Sequence, residues 1–195
     1  MEKLFKILMV CTGNVCRSPQ AEQILRGAIK GGRASKMWSA VSVTSAGTHA
    51  MVDHGMPIEA AELSTALGGL PDRHLARQLT KEMIDDVDLV LALAREHRGA
   101  VARLSPKAVR KTFTLREFAR TASHARERQL AGESIEVPDR LEDWVEYVYR
   151  SRGMIYVDSP DDDNVIDPFR RDRSIYEKSA AQIDTGIREI LTAIG

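Results

Sequence analysis

The segment Cys11-Thr12-Gly13-Asn14-Val15-Cys16-Arg17-Ser18-Pro19 sets a thiol six residues before a guanidinium, with a hydroxyl directly after it. A thiolate is a nucleophile, and the planar fork of an arginine grips two oxygens of a phosphate at a geometry lysine does not reproduce. If the residues between them curl so that successive backbone N–H groups point inward, they make a phosphate cradle. A helix opening at Ser18 would add its unpaired donors and its positive dipole end. Gly13 and Asn14 tolerate the left-handed backbone that such a curl needs. The expected chemistry is attack of the Cys11 sulfur on phosphorus, with Thr12, Gly13, Asn14, Val15, Cys16, Arg17 and Ser18 around the phosphate.

The spacing alone is weak in a chain this rich in arginine, and its context gives it weight. Leu4 to Val10 is a short, nearly continuous apolar run that reads as a buried strand. From Ser18 the pattern turns helical, with Ser18 as N-cap, Pro19 in the first turn, and Ala21, Ile24, Leu25 and Ala28 at helical spacing until Gly31-Gly32. Further strands are expected at Val41 to Ser45, Asp88 to Leu93 and Lys111 to Leu115. Helices are expected over Ile58 to Leu67, Lys81 to Asp85, Glu96 to Leu104, Leu115 to Leu130, Pro138 to Arg150 and Asp172 to Ile194. Asp158 to Asp163 reads as an exposed acidic loop. Strands alternating with helices imply an α/β fold: a doubly wound four-stranded parallel sheet with helices on both faces, and a ligand crevice beyond the carboxyl ends of the strands. Cys11 to Ser18 would sit at that end of the first strand.

Composition narrows the field. The chain has 195 residues, 43% hydrophobic and 29% charged, which suits one compact globular domain. Lys+Arg and Asp+Glu both count 28, so the net charge is zero and no nucleic-acid footprint is present. No apolar run approaches the roughly 20 residues needed to cross a bilayer, so membrane insertion is not expected. The expected location is cytoplasmic. Two cysteines are too few for a disulfide scaffold, and Cys11 with Cys16 lacks further ligands for zinc, so neither a metal nor a cofactor is expected.

Cys11 to Pro19, with Gln20-Ala21-Glu22 after it, closely resembles the signature of the low-molecular-weight protein tyrosine phosphatase family, bacterial type. Further resemblances are Thr44 to Thr48, His74 to Thr80, Asp88 to Leu93, Thr112 to Phe118 and Asp167-Pro168-Phe169. The resemblance implies that fold, and a metal-independent hydrolysis of protein phosphotyrosine through a phosphocysteine intermediate. Catalytic roles fall on Cys11, Arg17 and Asp167, the last as general acid in an Asp-Pro pair. Asn14, Ser18, Ser45 and His74 match positions that hold the loop in shape, and Phe169 matches a wall for the aryl ring. The substrates implied are phosphotyrosine-containing proteins, a bacterial tyrosine kinase among them. The family also implies that Cys11 and Cys16 form a protective disulfide on mild oxidation; as an isolated residue, Cys16 reads equally well as a small space-filler.

The chain departs from the family in two places. Arg170 stands where a tyrosine often follows Phe169. The chain also exceeds the family's usual length by about 40 residues, most of them within about 119–165, a segment with Trp144, Tyr147, Tyr149 and Tyr156 that walls the cleft, binds a partner or packs on the sheet. Val15, apolar inside the loop, offers no polar group to a guanidinium leaving group, which favours phosphotyrosine over phosphoarginine. An arsenate reductase of the same fold is the nearest rival, but no cysteine follows Cys16 to relay oxidation. A non-catalytic phosphate-binding adaptor would need neither nucleophile nor acid. His49, His54, His97 and His124 carry no motif and read as surface or satisfied polar residues.

Overall fold

The computed structural model describes residues 4–70, 73–134 and 136–195. Residue 135, inside the expected insertion, lies outside the described residues. Strands β1 (Phe5–Cys11), β2 (Val41–Gly47), β3 (Leu89–Ala92) and β4 (Thr112–Thr114) form one parallel sheet in the order β2-β1-β3-β4. The helices are α1 (Arg17–Lys30), α2 (Ile58–Ala66), α3 (Lys81–Asp85), α4 (Arg95–Leu104), α5 (Leu115–Leu130), α6 (Leu141–Arg150) and α7 (Arg173–Ala193).

The alternation along β1 divides the interior in two. Phe5, Ile7, Met9 and Cys11 face a large core built with α1, α5, α6 and α7, whereas Leu8 and Val10 face a smaller one with Ile84, Val101 and Ala108. Strands covered on both sides need continuous apolar sequence, which is why Leu4 to Val10 lacks a polar alternation. β1 thereby delivers Cys11 to the carboxyl rim of the sheet, on the face covered by α1.

Three local expectations give way to the structure. α1 begins two residues early, with Cys16 in the cap position and no side-chain cap, because the Ser18 hydroxyl is turned inward instead. Pro138 to Arg140 stay outside α6, with Arg140 preceding its first residue. The acidic stretch is not simply an exposed loop: Pro160–Asp163 forms a 3-10 turn capped by Ser159, and Asp163 is buried against Arg120 at 2.8 Å. Lone carboxylates avoid such burial unless a partner offsets the lost hydration, and Arg120 is that partner.

The extra segment is tied into the core. Trp144 and Val148 of α6 are fully buried, and none of the aromatics Trp144, Tyr147, Tyr149 and Tyr156 lines the cavity at the rim of β1. Arg152, beyond α6, reaches back to Glu117 Oε1 at 2.9 Å while Arg98 binds Oε2 at 2.7 Å. Glu117 also closes a capping box with Thr114, the last residue of β4 and the N-cap of α5. Both oxygens of this buried carboxylate are thus charge-paired.

Candidate active site

Two strand ends and one late loop build the site. β1 ends at Cys11, whose register partner on β2 is Gly47. A Cβ at Gly47 would meet the Thr12 carbonyl oxygen at 2.5 Å and Asn14 at 3.0 Å, so the loop after β1 lies flat against β2 only because that residue has no side chain. The carbonyls of Cys11, Thr12 and Gly13 accept from the amides of Thr48, His49 and Met51. With its carbonyls drawn outward, the loop leaves the amides of residues 13–18 bonded to no backbone carbonyl among the described residues. That set of unpaired donors, continuous with the uncapped start of α1, is arranged as a cradle able to take an anion. Asn14 alone supplies the left-handed turn, at φ 53°, while Gly13 takes no positive φ.

Asn14 is wholly buried and uses its whole amide. Its Nδ2 donates to Ser18 Oγ and Ser45 Oγ, both at 2.9 Å, and its Oδ1 accepts from the Arg77 amide at 2.9 Å. His74 Nε2 donates to the Asn14 carbonyl at 2.6 Å. Ser18 Oγ, held by Asn14, lies 3.0 Å from Cys11 Sγ. The sequence-predicted quartet Asn14, Ser18, Ser45 and His74 therefore meets around one loop.

Above the loop is a cavity of about 200 Å³ that contains Cys11, Val15, Cys16, Arg17, Asp167 and Phe169 in its walls, with Thr12, Gly13, His49 and Met51. Arg17 Nη2 lies 3.0 Å from Asp167 Oδ2, and its Nη1 donates to the Val165 carbonyl at 3.3 Å. The two partners differ in surroundings: the Arg17 side chain is 5% exposed and that of Asp167 is 56% exposed. Asp167 Oδ1 also accepts from the Phe169 amide at 3.2 Å, which fixes the Asp-Pro turn. A roomier groove of about 600 Å³ lies between α5 and α7, but neither cysteine lines it. Among the described residues no group of three His, Cys, Asp or Glu side chains is placed to hold a metal ion.

A family model described as low molecular weight phosphotyrosine protein phosphatase matches residues 6–131, which takes in the loop, Ser45 and His74. The chain belongs to this family. It is 34% identical over 156 residues to the low molecular weight protein-tyrosine-phosphatase Etp of Escherichia coli K12, covering 78% of this chain and 88% of that one. It is 36% identical over 114 residues to a protein-arginine-phosphatase of Geobacillus stearothermophilus, covering 58% of this chain and 71% of the relative. A crystal structure of the low molecular weight protein tyrosine phosphatase from T. tengcongensis superposes with a TM-score of 0.67 at 25% identity, over 96% of this chain and 98% of that one.

This family member carries supports that sequence reasoning missed. Arg77 braces the network twice, through its amide to Asn14 and through Nε to the Ser45 carbonyl at 2.7 Å. His97 is neither at the surface nor fully satisfied. It is 1% exposed, its Nε2 lies 2.9 Å from Thr12 Oγ1, and its Nδ1 is buried with no partner among the described residues. Burial, helped by the nearby Arg17 charge, pushes its pKa down to about 3, so it is neutral at pH 7. No motif signals this, since 85 residues separate His97 from Thr12. His49 lines the cavity mouth, whereas His54 and His124 lie away from it. Cys16 is buried, and burial first and Cys11 second push its pKa up to about 12, against the Tyr176 hydroxyl bonded to it.

Proposed function

We propose that the chain is a metal-independent phosphomonoester hydrolase that acts on protein phosphotyrosine through a phosphocysteine intermediate. One observation carries the reading: a thiol lies at the foot of a cavity ringed by unpaired amides, with a buried guanidinium joined to a solvent-facing carboxylate across its mouth. Phosphate would replace Asp167 on the Arg17 fork. Cys11 attacks phosphorus in line, Asp167 protonates the departing phenolic oxygen, and the loop amides with Arg17 hold the phosphoryl oxygens. Asp167, then a carboxylate, takes a proton from the water that displaces Cys11. Ser18 donates to the sulfur as it leaves. The matched family span ends at residue 131, so the role given to Asp167 rests on its contact with Arg17 and on the Asp-Pro pair.

Val15 supports phosphotyrosine over phosphoarginine, since it lines the cavity with two methyl groups and no acceptor for a guanidinium. Residues 119–165 are read as an elaboration of one phosphatase domain, supported by the burial of Trp144 in the shared core. Tyrosine-phosphorylated proteins, a tyrosine kinase among them, are the partners, and the cytoplasm is the compartment; no helix among the described residues is long and apolar enough to cross a membrane. Reversible oxidation joining Cys11 and Cys16 belongs to the same reading. A peroxide as oxidant would convert the Cys11 thiolate to a sulfenic acid, and Cys16, whose burial pushes its thiol pKa up, would then displace water from it to close the disulfide, a step that quickens with pH.

The test is hydrolysis of p-nitrophenyl phosphate in the presence of a chelator by wild type, Cys11→Ser and Asp167→Asn, followed by proteins carrying phosphotyrosine or phosphoarginine. Equal rates in the three proteins end the catalytic reading, and preference for phosphoarginine ends the argument from Val15.

A further inference from the structure

Phe169 forms one wall of the cavity, and the Arg170 guanidinium carbon stands 5.1 Å from the centroid of its ring. Arg170 and Arg171 are both exposed, and neither has a carboxylate partner among the described residues. Arg173 differs. Its charge is met by Glu62 at 2.8 Å and Glu177 at 3.3 Å. Of the two carboxylates beside them in sequence, Asp167 is engaged by Arg17, and Asp172, which precedes α7, forms no ion pair with either arginine. Arg170 also holds φ 60°, a left-handed backbone that a residue with a side chain adopts at a cost and that glycine takes freely. A cation is thus kept over the aryl wall of the site, at a position where an uncharged glycine would relieve the backbone.

We propose that Arg170, seconded by Arg171, determines specificity by favouring phosphotyrosine that is flanked by acidic residues. The proposal rests on the phosphatase reading above and names the substrate class of that site. A phosphotyrosine ring seated against Phe169 puts the neighbouring residues of its own chain at the mouth, because each residue advances the chain by only about 3.3–3.6 Å. An aspartate or glutamate there meets an unpaired guanidinium, and a lysine or arginine meets like charge.

The measurement is kcat/KM at low ionic strength for a phosphotyrosine peptide with aspartates on both sides and for its asparagine counterpart, with p-nitrophenyl phosphate as a control. Wild type is expected to favour the aspartate peptide about three- to fivefold, the range open to exposed charge pairs. The ratio falls towards one in 1 M salt, where the screening length is about 3 Å. It also falls towards one in Arg170→Gln, survives in Arg170→Lys and inverts in Arg170→Glu. A wild-type ratio of one, a ratio unchanged in Arg170→Gln, or turnover of the small ester without turnover of either peptide overturns the proposal. Failure of all three substrates instead strikes the phosphatase reading on which it stands.

Discussion

The Cys11 loop and the Asp167 loop face each other across one cavity and are held in opposite ways. Around Cys11 the supports are buried and redundant: Asn14, Ser18 and Ser45 are within 1% of complete burial, and each polar atom of the Asn14 side chain has a partner. Around Asp167 the supports are few and wet, a single ion pair and one amide bond on a carboxylate more than half exposed. The difference suits the tasks proposed for them. A cradle that must stabilise developing charge works best when its dipoles are fixed before the substrate arrives. An acid that trades protons with a leaving group and then with water has to remain in reach of water.

Substitutions on the two sides should therefore fail differently. Cys11→Ser is expected to lower kcat for p-nitrophenyl phosphate by about 10⁴-fold or more, with the melting temperature little changed. Asp167→Asn is expected to lower kcat by about 10²- to 10³-fold for phenyl phosphate, and by less for the p-nitrophenyl ester, whose better leaving group needs less acid. A series of aryl phosphates checks this, and a loss independent of leaving-group pKa would strip Asp167 of the acid role. Asn14→Ala strikes the other side. It strands the Ser45 hydroxyl and the Arg77 amide, leaves the Ser18 hydroxyl with the Cys11 sulfur alone, and puts alanine at a positive φ, so urea denaturation should register a loss of about 2–3 kcal/mol together with reduced kcat. If stability falls and kcat holds, the network serves the fold and not the cradle.

The smallest expected effect concerns His97. Its folded pKa of about 3 lies below the value of about 6.5 in the unfolded chain. Between those values the unfolded state binds more protons, so stability rises with pH and is lost as pH falls through that window, by up to about 1.4 kcal/mol per pH unit. Comparing urea midpoints of wild type and His97→Gln at pH 7 and pH 5 should show a shallower acid loss in the variant. Parallel curves would remove His97 as the source.

Where the sequence was readable, the signal was local or carried by a motif. The apolar run of β1, the cysteine-to-arginine spacing and the Gly31 stop can all be seen within a few residues, and Ser45 and His74 came through resemblance. What escaped depends on chain segments that meet only after folding. Thr12 meets His97, Arg77 meets Ser45, and Glu117 collects arginines from α4 and from beyond α6. Ser18 was legible as a support of the loop and misread only as a helix cap, because the sulfur and Asn14 take the hydroxyl that would have capped α1.

Val165 joins both halves of the comparison, since its amide donates to the Leu93 carbonyl at the end of β3 and its carbonyl accepts from Arg17. Arg116 fastens the residue before it, through the Asn164 carbonyl at 3.1 Å. For anyone grafting segments between homologues, the spacing from Asn164 to Asp167 is consequently a hinge point that tolerates no change in length. The exposed side chains of Met154 and Tyr156 have no such tether among the described residues, and that stretch is the natural seam for a reporter or a fusion partner.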